Sequence, residues 1–181
     1  MSEFKEFPKI SRFYEQDVCV TEKIDGTNGL VWVSDDLSIV RAGSRSRWID
    51  TTDDNYGFAR YVEDNSEELK LLGSGYHYGE WWGQGIQRKY SMPKKVFSLF
   101  NVNKWSDDSV RPSCCDVVPV LYSGIVTPKM IVDFSKPLSI STAAQKYGIE
   151  FDKPEGVMMY FTKGNIYFKC PDKKGRKECP N

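Results

Sequence analysis

The sequence predicts an α+β fold, rich in strands and poor in helices. Short β-prone runs bounded by turn residues recur along the chain. Helical spacing of apolar side chains appears in only two stretches. The length of 181 residues, 40% of them hydrophobic and 14% aromatic, suffices for one domain with a sizeable core.

The elements follow in order. Residues 18–21 (Val18-Cys19-Val20-Thr21) form a β-branched run, and residues 30–33 (Leu30-Val31-Trp32-Val33) a second. Ser34-Asp35-Asp36 turns the chain into a strand over 38–41. Residues 55–72 place Phe58, Tyr61, Val62 and Leu69 at helical spacing, with acids on the other faces. Asn55 or an earlier Asp would cap this helix, and Gly73 would stop it. Strands are predicted over 76–82, 95–102 and 117–122, and a short helix over 138–147, ended by Gly148. Lys163-Gly164-Asn165 makes a hairpin turn between strands 156–161 and 166–169. No repeat or low-complexity segment interrupts the series. After Lys169 the chain turns polar and basic and soon ends. The expected organisation is therefore a single domain over 1–181, without a C-terminal accessory domain.

Lys and Arg total 25, as do Asp and Glu, for zero net charge, which argues against a purely electrostatic nucleic-acid binder. Local basic patches remain at Arg41/Arg45/Arg47, Arg88/Lys89/Lys94/Lys95 and Lys173/Lys174/Arg176/Lys177. Each also fits an ordinary solvated face. Five cysteines (Cys19, Cys114, Cys115, Cys170, Cys179) without CxxC spacing, and one histidine, His77, make a zinc site unexpected. His77 reads as a structural strand residue. With no signal peptide and no long apolar run, a cytoplasmic protein with reduced thiols and no membrane association is expected.

The most informative stretch is Lys23-Ile24-Asp25-Gly26-Thr27-Asn28. A lysine at the end of a β-prone run can project into a pocket, and Gly26 permits a tight turn or a close backbone approach. Asp25 can fix an ammonium or a sugar hydroxyl by a charge-assisted hydrogen bond. A surface lysine before an Asp-Gly turn is the plain alternative. Downstream, in order, come Ser44-Arg45-Ser46-Arg47, then Tyr78-Gly79-Glu80-Trp81-Trp82-Gly83 continuing as Gln84-Gly85-Ile86-Gln87. Phe97-Ser98-Leu99-Phe100-Asn101-Val102, Pro154-Glu155-Gly156-Val157 and Ile166-Tyr167-Phe168-Lys169 follow.

With these motifs in this order, the chain resembles the covalent nucleotidyltransferase superfamily of ATP-dependent ligases and mRNA capping enzymes. Within it, the chain is most similar to the phage-type RNA ligase family, from about Phe7 to Lys169. The resemblance implies two packed antiparallel β-sheets with flanking helices and a nucleotide between them. It implies an ATP-dependent RNA ligase that seals 5′-phosphate and 3′-hydroxyl RNA ends through a lysine–AMP intermediate. The cofactors would be ATP and Mg2+, with Mn2+ as the alternative ion. A monomer in the cytoplasm (a host's, if phage-encoded) is expected, with an accessory end-binding protein as an open partner.

The resemblance also assigns roles. Lys23 is the nucleophile and must react as the free amine, which burial and nearby cations would favour. Lys169, Arg45 and the metal are the candidate cations. Arg45 contacts the nucleotide and the nick phosphate, and Glu80 the ribose hydroxyls. Phe100 stacks on the base, with Phe97 competing for that place. Asn101 stands where relatives often have Asp. Glu155 serves the metal and the reacting phosphate. Glu22, Ile24 and Asn28 complete the nucleotide-binding set, and Arg45, Arg47 and Arg88 the nucleic-acid contacts. Gln84 and Gln87 share the loop of Arg88, and Trp81 and Trp82 read as wall and core. Many relatives have Lys-x-Lys in the last motif, where this chain has Lys169-Cys170-Pro171. Lys169 is taken as the α-phosphate contact and second catalytic residue; Tyr167 could instead stand in the first lysine place. A DNA ligase or GTP-using capping enzyme stays open, as does a catalytically reduced nucleotide- or nucleic-acid-binding protein.

Overall fold

A computed structural model describes residues 4–9 and 16–171. Its strands are β1 (Asp17–Lys23), β2 (Thr27–Val33), β3 (Val40–Gly43), β4 (Trp48–Ile49), β5 (Gly75–Gly83), β6 (Lys95–Leu99), β7 (Cys115–Val117), β8 (Val120–Ile125), β9 (Gly156–Phe161) and β10 (Ile166–Pro171). The helices are short: α1 (Phe58–Asp64), α2 (Ser66–Leu69), α3 (Val102–Trp105), α4 (Pro128–Phe134) and α5 (Thr142–Gln145). The predicted α+β class holds. One sheet has the order β10-β9-β1-β8, the other β4-β3-β2-β5-β6-β7. All pairs are antiparallel except β6–β7, which is parallel. That departs from the expected antiparallel sheets because a crossover through α3 joins β6 to β7.

Strand alternation sorts the side chains. In the four-stranded sheet, Val18 and Val20 of β1 pack with Val157 and Met159 of β9 and, beyond them, Met130, Ile131 and Phe134 of α4. Cys19, Thr21 and Lys23 therefore look the other way, toward the six-stranded sheet. In that sheet Val31, Val33, Trp81, Phe97 and Leu99 pack under α1 and α2 with Phe58 and Val62. Asn28, Leu30, Tyr78, Glu80 and Trp82 thus line the opposite face. A third cluster, holding Ile24, Trp82, Tyr90, Val96, Val118 and the two alanines of α5, closes the floor between the sheets.

Several predicted elements are divided. The helix expected over 55–72 breaks at Asn65, whose side-chain amide donates to the Tyr61 carbonyl at 2.7 Å. It gives α1, α2 and a 3-10 turn. The N-cap of α1 is Gly57 rather than the expected Asn55 or an earlier Asp, though the Asp54 carboxylate accepts from the Ala59 amide at 2.7 Å. The strand predicted over 117–122 splits at Val118-Pro119, where the chain leaves the six-stranded sheet for the four-stranded one. Residues 100–102 leave β6 and start α3, capped by Asn101. The helix expected over 138–147 shrinks to α5, since Ser141 caps it and Gly148 lies past its end. Helix α4 was not anticipated, although its half-buried Met130, Ile131 and Phe134 pack on the four-stranded sheet; Thr127-Pro128 was its available signal.

Candidate active site

Lys23 ends β1 opposite Gly156 of β9, and its Nζ lies 2.5 Å from Glu155 Oε2. The chain then dips. Ile24 is buried in the floor of the cleft, the Asp25 amide donates to the Tyr90 hydroxyl at 2.8 Å, and the Gly26 amide donates to Glu80 Oε1 at 2.9 Å. Gly26 is required by space: a Cβ there would meet the Trp81 carbonyl and lie 2.8 Å from Trp82 Cβ. On the next strands Asn28 stands opposite Glu80, and Glu80 opposite the buried Ser98. The predicted Lys23, Asn28, Glu80 and Glu155 thus meet at one end of the cleft.

The electrostatics carry an unexpected feature. Lys23 was expected beside cations. Its partner is instead the Glu155 carboxylate, with Glu80 and Asp25 also acting in this field. Burial pushes the Glu80 carboxyl up to about 7, against the opposing pull of Lys23 and the Gly26 amide.

That shift has a consequence for stability. In the unfolded chain Glu80 loses its proton near 4.5. Between there and about 7 the native state holds the extra proton, so stability falls as pH rises through that window. Glu80→Gln should remove this slope, about 2–3 kcal/mol in all. Urea melts at pH about 5 and about 8 check it; equal pH slopes in both proteins would contradict the assignment.

The remaining predicted residues divide. Phe100 follows β6, its amide donating to the Tyr78 carbonyl at 2.9 Å, and is 41% exposed. Phe97 is fully buried against Phe58, which removes it as a stacking candidate. Lys169 pairs with Met158 of β9, itself opposite Thr21, so it lies on the Lys23 face and is exposed. Pro171 pairs with Gly156, the residue opposite Lys23. The position of the absent second lysine is therefore in the row of Lys23. Tyr167 pairs with Tyr160, one step farther out, and stacks on it. Arg45 is exposed in the β3–β4 turn, closed by the Ser44 amide donating to the Arg47 carbonyl at 2.8 Å.

Three of the predicted residues have partners within the chain. The Glu22 side chain points away from Lys23, as alternation requires; its oxygens accept from Ser141 Oγ at 2.6 Å and the Ala143 amide at 2.8 Å. Arg88 is committed within the protein, donating to Asp25 Oδ2 at 3.0 Å and the Lys153 carbonyl at 2.7 Å. It clamps the lysine loop to the approach of β9. Arg47 is paired with Asp53. Tyr90, fully buried beneath Asp25, is a positioning residue that the sequence reading missed; no local pattern marks it. His77 is structural, its ring N–H donating to the Gly73 carbonyl at 2.8 Å. The patch 173–177 lies outside the described residues.

Among the described residues no group of three or more His, Cys, Asp or Glu side chains could hold a metal alone. The acidic donors around Lys23 fit an ion that takes one or two carboxylates and completes its shell with phosphate oxygens and water. No helix of the described residues is long and apolar enough to cross a membrane.

A family model described as RNA ligase matches residues 16–170. No curated protein matches. Among solved structures, a mutant of the Naegleria gruberi RNA ligase with ATP and Mn superposes with a TM-score of 0.63 at 19% identity, covering 89% of this chain and 51% of that one. The same ligase with PPi gives 0.64 at 20% identity, covering 88% and 50%. A mutant with AMP and Mn gives 0.63 at 18% identity, covering 90% and 51%. At this identity the likeness is one of fold. The chain spans about half the length of these structures.

Proposed function

Because this chain belongs to the RNA ligase family, whose model matches residues 16–170, we propose that it is an ATP-dependent RNA ligase. It joins 5′-phosphate and 3′-hydroxyl RNA ends through an AMP linked to Lys23. The observation that carries this reading is the Lys23 ammonium held at 2.5 Å by Glu155 in a cleft whose opposite wall presents Glu80.

The chemistry runs in three displacements. Lys23 gives up a proton, for which Glu155 is the adjacent acceptor, and its amine attacks the α-phosphorus of ATP. A nitrogen–phosphorus bond forms and pyrophosphate leaves. A 5′-phosphate oxygen of the RNA next attacks the same phosphorus, releasing the amine. The 3′-hydroxyl then loses its proton, attacks the activated 5′-phosphorus, and AMP leaves.

Each side chain has a task in that sequence. One Glu80 oxygen takes the Gly26 amide, leaving the other for a ribose hydroxyl. Asn28 stands beside it. Phe100 offers a partly exposed ring to the base, and Lys169 and Arg45 offer charge to the phosphates. Glu22 and Ile24 contribute through their main chain, since their side chains are buried. A Mg2+ or Mn2+ ion bound by Glu155 and the phosphates would neutralise the leaving pyrophosphate and loosen the hold of Glu155 on the ammonium. The enzyme is taken to act as a monomer in the cytoplasm, with this domain as its adenylation unit.

The test is incubation with ATP, then separately GTP, in the presence of Mg2+, followed by intact mass and peptide mapping. A gain of one AMP on Lys23 supports the reading. A GMP adduct would point to capping-type chemistry, and no adduct with either nucleotide would overturn nucleotidyl transfer. Joining assays on RNA and DNA ends then separate the two polymers.

A further inference from the structure

The cleft face of the six-stranded sheet continues outward past the Asn28–Glu80 row, and there it becomes aromatic. Two residue pairs along, Leu30 stands opposite Tyr78, with Gly43 and Trp48 beyond it on β3 and β4. Two pairs farther, Trp32 stands between Tyr76 and Arg41. Alternation puts all of these on the face of Glu80.

The rings form a connected series. Trp48 and Trp32 lie 6.3 Å apart, Trp32 and Tyr76 6.5 Å, and Tyr76 and Tyr78 6.4 Å with planes within 12° of parallel. They are also open: Trp48 is 40% exposed, Tyr76 58% and Tyr78 56%. The Arg41 guanidinium sits 4.4 Å over the Trp48 ring, and Arg45 extends from the adjoining turn. No acid stands in these rows. Three of the four rings are exposed and Trp32 is half-buried, and none of the four belongs to a hydrophobic core cluster.

We propose that Trp48, Trp32, Tyr76 and Tyr78, with Arg41, form a stacking platform for an unpaired stretch of the RNA substrate beside the reacting end. This rests on the ligase reading for the identity of the strand. Two features favour this occupant. The platform is continuous with the proposed nucleotide pocket, two to four residue pairs along the same strands, so it lies on a path open to a strand whose end reaches Lys23. Successive rings with flanking guanidinium charge match what an unpaired strand offers, base faces on a phosphate chain. Stacking reads no base edges, so affinity should vary little with sequence.

The test measures binding and adduct formation separately. Fluorescence anisotropy follows a labelled, unstructured RNA oligonucleotide and a blunt RNA duplex of the same length. Trp48→Ala/Tyr76→Ala should weaken binding of the unpaired oligonucleotide about tenfold or more, while Lys23 adenylylation by ATP continues at the wild-type rate. Trp48→Phe/Tyr76→Phe, which keeps ring faces and fold, should bind within about twofold of wild type.

Normal oligonucleotide binding by a folded alanine variant would overturn the platform and leave the ligase reading intact. Lost binding in a protein whose wild type forms no adduct would support the platform and sink the ligase reading. If only duplex binding falls, or if sedimentation shows that the rings hold two copies of the chain together, the proposal is wrong.

Discussion

Lys23→Ala should abolish the covalent AMP adduct, a loss limited only by assay background. The lysine stands at the one strand end that opens between the sheets, opposite Gly156 and beside Glu155. Lys169 is on a strand two places away and pairs with Met158, so it cannot take over the position. The informative companion is Lys23→Arg. Arginine can keep the ion pair with Glu155 and so preserve local structure, yet it is never deprotonated in proteins and cannot attack phosphorus. Both variants should therefore fold, bind ATP and form no adduct. Mass spectrometry of each after incubation with ATP and Mg2+ decides it, and a normal adduct in either would remove Lys23 as the nucleophile.

Gly26→Ala should be nearly as damaging, by a different route. The added methyl would collide with the Trp81 carbonyl and come within 2.8 Å of Trp82 Cβ. Both belong to a central strand that cannot yield easily, so the loop must move. That movement strains the hydrogen bond from the Gly26 amide to Glu80 and the one from the Asp25 amide to Tyr90. Overpacking of this kind costs about 1–3 kcal/mol, and a displacement of about 1 Å at a reacting group can cost about 10²-fold in rate. A thermal melt and single-turnover adenylylation should both show the loss. Wild-type behaviour in both would mean that the loop has freedom the packing denies.

The acids around Lys23 raise a mechanistic point that the motifs alone do not. A lysine paired with a carboxylate is stabilised in the form that cannot react. On the ligase reading proposed above, the resting pair would shield the nucleophile, and ATP with its metal would have to disturb the Lys23–Glu155 contact before attack. That reading would place the control of reactivity on Glu155 rather than on a permanent cation, in keeping with a last motif that has a proline where a second lysine is common.

Much of this was legible in the sequence. The α+β class was legible from the recurrence of β-prone runs, and the motif order and the resemblance it carries singled out Lys23, Glu80 and Glu155, which the fold brings together at one end of the cleft. Those features are local. A strand's alternation fixes which neighbours share a face, and a glycine or a carboxylate carries its chemistry wherever it is placed. The tertiary structure alone decided what depends on distant partners. It gave Glu22 to Ser141 and the start of α5, 119 residues away, and spent Arg88 on Asp25 and the Lys153 carbonyl. It put Tyr90 beneath the lysine loop, sent the chain between sheets at Val118-Pro119, and aligned four rings from three strands on one open face. No spacing within a segment encodes these outcomes, because they follow from register between strands and from which faces the core leaves uncovered.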